Sequence, residues 1–131
     1  MTGSADEPKQ GPERQLREQV SALGQKFLLR TRDETNVLRE LTARLCQGDV
    51  SALAQLQEMA HKIHGSGAIF GFSAISECGG EIERLGEQLA APRAAPAAGL
   101  DRDALQCLAQ CIERLASAVA AATAAGRPDH N

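Results

Sequence analysis

Tryptophan and tyrosine are absent from the 131 residues, and 3 phenylalanines are the only aromatic side chains. A core so poor in rings and so rich in alanine and leucine favours helices, because β-branched and aromatic residues are the ones that suit a pleated, half-buried sheet. There is no positive excess either: Lys and Arg number 14 against 17 Asp and Glu, a formal charge of −3. Nucleic-acid binding calls for a basic stripe with stacking aromatics, so this class is disfavoured. No apolar run approaches the roughly 18–20 residues that span a bilayer. The opening Met-Thr-Gly-Ser-Ala-Asp-Glu-Pro lacks the apolar centre of a signal peptide. The composition predicts one soluble, cytoplasmic domain with no membrane partner, large enough to bury about two-thirds of its unfolded surface.

The chain also lacks a CxxC pair, a P-loop and a glycine-rich nucleotide loop, so it is not expected to use ATP itself. Cys46, Cys78, Cys107 and Cys111 fall where small apolar residues would fit and are expected as buried thiols. Cys107 and Cys111, four apart, share a helix face, which leaves a metal or redox pair open as the lesser reading.

What is present is helical periodicity. Residues 1–13 combine Gly3, Pro8, Gly11 and Pro12 with unpatterned charge and are expected to be a disordered lead-in. Leu16, Val20, Leu23 and Phe27, then Leu38, Leu41 and Leu45, follow helical spacing that weakens across Arg30–Asn36. One long helix fits, as does a short extra N-terminal helix followed by a break near Gly24. Gly48 is the expected stop and Asp49 the next N-cap. A second helix from about Val50 places Leu53, Leu56, Ala60, Ile63 and Gly67 on one stripe. Gly71 and Ser73 mark the turn and cap before a third, carrying Ile75, Cys78, Ile82, Leu85 and Leu89. Pro92 and Pro96 make 91–99 a connection, and a last helix runs from about Asp101 to Gly126 and Pro128, with Ala104, Leu108, Cys111, Leu115, Ala118 and Ala122 inward. The expected architecture is an all-α, antiparallel (up-down-up-down) four-helix bundle over residues 14–126, followed by a tail at 127–131.

The chemistry concentrates in His61-Lys-Ile-His-Gly-Ser-Gly-Ala-Ile-Phe-Gly71. At 100° per residue His61 points about 120° from the apolar stripe, on the solvent side with Gln57, Glu58 and Gly65. His64 lies only about 60° from the stripe, at the shoulder. Side chains lean toward the helix N-terminus, so His64 leans toward His61, while Gly65 leaves the space above the His61 ring open and Ser66 keeps its surroundings small. A neutral imidazole is a nucleophile near pH 7, able to accept a phosphoryl group as an N–P bond. A nearby donor such as His64 can offset the transferred charge. Three plainer readings stand beside this one: a solvated histidine, a weak metal site of His61, His64 and Glu58 with no ligand set to complete it, and small residues that serve only close packing.

His61-Lys-Ile-His64-Gly65-Ser66 followed by Gly71 resembles the signature of histidine phosphotransfer (HPt) domains. That signature has an accepting His, an apolar residue two on, Lys or Arg three on, Gly four on, a small residue five on and Gly ten on. The likeness covers roughly residues 25–90. It implies a helical bundle and a phosphorelay carrier without kinase activity, in which His61 takes a phosphoryl group from one receiver phospho-aspartate and passes it to another. The implied partners are response-regulator receiver domains and a hybrid histidine kinase. No cofactor or metal of its own is implied, since Mg²⁺ and the acidic pocket belong to the receiver in this family. Gln57, Glu58, Gly65 and Ser66 would line the docking strip. Glu83 stands where the family often carries Gln or Glu beside the active imidazole. One departure is that His64 occupies the usual Lys or Arg position, so its help would depend on pH. The alternative is a helical interaction module that binds and inhibits a kinase or receiver without carrying phosphate.

Overall fold

The computed structural model describes residues 2–91 and 100–129, with side chains from Gly11 on. They form four helices: α1 (Thr2–Cys46), α2 (Ala52–Ile69), α3 (Ser73–Ala90) and α4 (Arg102–Ala125). There is no strand among the described residues. Each helix packs on its neighbours in the chain, and α4 returns to α1, closing a ring around one core. Leu28, Leu38, Leu56, Ile63, Ile82 and Leu108 are among the side chains wholly shut away in it. Along α2 and α3 the contacts run in opposite senses, with Gln57 against Gly86, His61 against Glu83 and Gly67 against Ser76. Arg39–Glu113 and Gln25–Gly126 give α1 and α4 the same relation. The connection expected over 91–99 lies, for 92–99, outside the described residues.

α1 passes through Gly24 without a break, and the ring of Phe72 packs over it at a distance where a Cβ would make ordinary van der Waals contact, 3.5 Å. Periodicity weakens across Arg30–Asn36 because the inward positions there are threonines. Thr31, Thr35 and Thr42 are buried, and each hydroxyl donates to the carbonyl four residues back. A buried hydroxyl satisfied within its own helix asks nothing of the core, so the helix continues.

α1 is described from Thr2, so Pro8, Gly11 and Pro12 fall within its span. One expectation about this segment is corrected. Leu16, Val20 and Leu23, expected to face inward, are 61%, 47% and 51% exposed. The helix extends from an anchored core segment, so the nucleation cost is already met, and Glu13–Gln19 are strong helix formers. The three other helices do not reach the level of these apolar side chains, so they stay uncovered.

The turns use glycine where it was anticipated. Gly48, Gly71 and Gly126 take φ of 91°, 79° and 70°, a region that L side chains rarely adopt. The caps differ from expectation. Asp49 does not cap α2; its carboxylate accepts from the Ser51 N–H and hydroxyl and pairs with Arg44 at 2.8 Å. The Ser51 hydroxyl and the Arg44 guanidinium hold the Asp49 carboxyl below its ordinary pKa. Ser73 does not supply the α3 cap; Asp129, beyond the end of α4, accepts from the Ser73 and Ala74 N–H groups at 2.7 and 3.1 Å. Asp101 caps α4, accepting from the Asp103 and Ala104 N–H groups.

Glu34 faces α2 from α1, near Arg30 and Lys62, and burial raises its carboxyl above the ordinary value against the pull of both cations. Between the unfolded and folded values the native state binds more protons than the unfolded one, so stability falls as pH rises through that window. Glu34→Gln is therefore expected to melt above the wild type at neutral pH, with the gap closing in acid once the carboxyl is protonated in both states. Thermal denaturation followed by circular dichroism at the two pH values measures this. An equal gap at both would show that the glutamate is not the source.

Candidate functional site

Leu53, Leu56, Ala60, Ile63 and Gly67 of α2 are buried, as their spacing requires. That orientation turns His61 outward, and its side chain is 72% exposed. On α3, Ile82 and Leu85 are buried on either side of Glu83, which leaves this carboxylate half-buried and directed at α2. His61 Nδ1 lies 2.6 Å from Glu83 Oε2. An ionised carboxylate only accepts, so Nδ1 donates and the lone pair of the neutral ring resides on Nε2. Glu83 thereby sets both the tautomer and the ring orientation, as an outer carboxylate does for a ligating histidine.

His64 is exposed but anchored. Its Nδ1 lies 2.8 Å from the Ser76 carbonyl oxygen, to which it donates, and the Ser76 hydroxyl returns a bond of 2.7 Å to the His64 carbonyl. The ring lies over Gly80, where a Cβ would come within 2.9 Å of Nδ1. Both imidazoles are thus held by α3, one turn apart, and no hydrogen bond joins them among the described residues.

The other candidates divide. Glu58 and Gly65 flank His61 in solvent, with Glu58 paired to Lys62 at 3.3 Å. Gln57 is half-buried and packs over Gly86. Ser66 turns toward α1, into a cleft of about 290 Å³ shared with Phe27, Arg30, Glu34, Lys62 and Ile63. Ser76, Gly79, Gly80 and Gly86 went unremarked in the sequence. The signal was the Gly79-Gly80 pair inside an otherwise helical run, where each glycine costs about 1 kcal/mol against alanine.

Nothing lies within 4 Å of the Cβ that an alanine at position 65 would carry. Gly65→Ala is therefore expected to raise helix stability by roughly 0.5–1 kcal/mol while placing a methyl group beside the approach to His61. A higher melting temperature with slower phosphorylation is the expected pair of results. Unchanged phosphorylation would show that the space above the ring is not used.

The cysteines were expected to be buried, but only Cys111 is; Cys78 is half-buried, and Cys46 and Cys107 are exposed. Burial raises the Cys78 thiol above its ordinary pKa. No group of three metal-ligating side chains occurs among the described residues. No described helix is long and apolar enough to cross a membrane.

The family model for the Hpt domain matches residues 14–118, most of the chain. The chain belongs to the Hpt domain family. Hpt domains are phosphocarrier modules, not kinases, that pass phosphoryl groups through histidine in phosphorelays alongside receivers and kinases. No curated protein and no solved structure gives a match. In this Hpt domain the exposed imidazole, its carboxylate partner and the small residue above it all sit on the α2–α3 face.

Proposed function

We propose that this Hpt domain accepts a phosphoryl group from a receiver phospho-aspartate on Nε2 of His61 and returns it to the aspartate of another receiver. The carrying observation is the 2.6 Å bond from His61 Nδ1 to Glu83, which leaves the other nitrogen of a 72%-exposed ring as the nucleophile. In the forward step the Nε2–P bond forms as the aspartyl O–P bond breaks, and the aspartate leaves as a carboxylate. The Nδ1 proton stays between ring and Glu83, whose negative charge offsets the positive charge the ring acquires. The reverse sequence discharges the ring, so the protein carries the group without consuming ATP. Such transfer depends on positioning and charge stabilisation more than on covalent machinery. A stiff helix and a fixed tautomer supply the first.

His64 fits the second requirement conditionally. With Nδ1 committed to the Ser76 carbonyl, only Nε2 faces outward, and it donates a hydrogen bond to a phosphoryl oxygen only when the ring is protonated. His64→Lys, which puts a permanent cationic donor at this position, is therefore expected to lengthen the phosphohistidine lifetime. An identical lifetime in variant and wild type removes His64 from this role. The reading as a whole is tested by incubating the purified protein with a panel of phosphorylated receiver domains. Acid-labile, alkali-stable label mapping to the peptide that contains His61 is expected. Binding without any label would favour an interaction module instead.

A further inference from the structure

Thr31, Thr35, Thr42 and Thr123 each turn the hydroxyl back to the carbonyl four residues earlier in the same helix. Ser76, only 8% exposed, does not. Its hydroxyl crosses from α3 to α2 and donates to the His64 carbonyl at 2.7 Å, leaving the Phe72 carbonyl to the Ser76 N–H. A buried hydroxyl is satisfied as well within its own helix, so satisfaction alone does not account for the crossing.

What the crossing reaches is one imidazole. The Ser76 hydroxyl oxygen lies 3.2 Å from His64 Nδ1 and the carbonyl oxygen of the same residue 2.8 Å from it, so one N–H meets two acceptors of a single residue. Gly80, one turn on, completes the seat. A Cβ there would stand 2.9 Å from Nδ1, 3.1 Å from Cε1 and 3.5 Å from Cγ, so that edge of the ring rests on bare main chain. Gly67 lets the two helices come this near, since a Cβ on it would lie 3.0 Å from the Ser76 nitrogen. His64 is exposed, yet its ring is fixed in direction and in tautomer. The freedom that a loose surface side chain would lose in a complex has already been lost on folding.

We infer that Ser76 is a positioning residue for phosphotransfer: its hydroxyl and carbonyl hold the His64 ring on Gly80 so that Nε2 meets the phosphoryl group on His61. This rests on the reading of His61 as the acceptor and His64 as its helper. Ser76 itself is buried between α2 and α3 and acts only through the ring.

Ser76→Ala keeps the Cβ and the carbonyl and removes one hydroxyl, so the bundle is expected to fold with unchanged helical circular dichroism. Transfer of label from a phosphorylated receiver that charges the wild type is expected to slow about threefold to tenfold, the loss that goes with one hydrogen bond. In a His64→Lys background, which has no ring to seat, the same substitution is expected to change the rate by less than about twofold. Equal slowing in both backgrounds would mean that Ser76 only holds the two helices together, and overturns the inference, as does an unchanged rate in the wild-type background. Nitrogen NMR of the unphosphorylated protein in alkaline solution needs no receiver. The His64 ring is expected to give one protonated and one bare nitrogen resonance, widely separated, that draw together in Ser76→Ala as the second tautomer becomes populated. Identical spectra overturn the inference. If no receiver labels His61, the carrier reading fails and the role in transfer with it, while the spectra still report whether the ring is seated.

Discussion

His61→Gln is expected to abolish acid-labile labelling from every phosphorylated receiver tested, with the helical circular dichroism and melting temperature nearly unchanged. The two halves of this result have separate physical origins. A glutamine amide has no nucleophilic lone pair on nitrogen, because its nitrogen is conjugated with the carbonyl, so no N–P bond forms. The original side chain is 72% exposed and its one recorded bond is to Glu83. Its removal therefore leaves no cavity, and the stability change should stay within about 0.5 kcal/mol. Label recovered in His61→Gln would move the acceptor elsewhere, and His64, whose Nε2 also faces outward, would be the first position to map. Glu83→Ala makes a graded control. The nucleophile remains but can rotate and change tautomer, so labelling should slow without disappearing.

His61 was legible because the evidence for it lies within a single helix: the apolar stripe of α2 is a local periodicity, and the angle from stripe to histidine follows from it. Glu83 was legible only through the family resemblance, since nothing in a single sequence says which residue of the next helix faces position 61. The same limit explains His64. The spacing placed it at the shoulder of α2, but its partner, the Ser76 carbonyl, is a main-chain atom twelve residues away that carries no side-chain signal. Continuity of α1 was obscured because Thr31 and Thr35 count as polar in a periodicity, although each satisfies its hydroxyl internally and packs as a core residue. Asp129 as the cap of α3 depends on where α4 ends in space. Leu16, Val20 and Leu23 fit the inward pattern perfectly well; pattern reports amphipathicity and is silent on whether a neighbour is long enough to cover it.

Gly79→Ala is expected to cause the largest loss of stability among conservative changes in this chain, and to slow phosphotransfer with it. A Cβ at position 79 would come within 2.8 Å of the His64 main-chain nitrogen and 3.1 Å of both its Cα and the Ile63 Cγ2. Backbone within a helix cannot swing aside as a side chain can, so α2 and α3 must separate where they approach most closely. Overpacking of this kind costs about 1–3 kcal/mol. The better helix propensity of alanine returns up to about 1 kcal/mol, so the predicted net is a clear destabilisation, a fall in melting temperature of several degrees for a domain of this size. Gly80→Ala is the informative contrast. There the obstructed group is the His64 ring, 2.9 Å from the new methyl at Nδ1, and a ring can rotate away at the expense of its bond to Ser76. Gly80→Ala should therefore melt closer to the wild type while altering whatever His64 contributes. Glu83 lies one turn beyond Gly79 on α3, so displacing that helix also lengthens the 2.6 Å bond that fixes the His61 tautomer. Gly79→Ala should then lose transfer rate even at temperatures where it remains folded. A variant that melts at or above the wild-type temperature would mean that α2 and α3 are not held this close, and the orienting role of Glu83 would lose its structural basis.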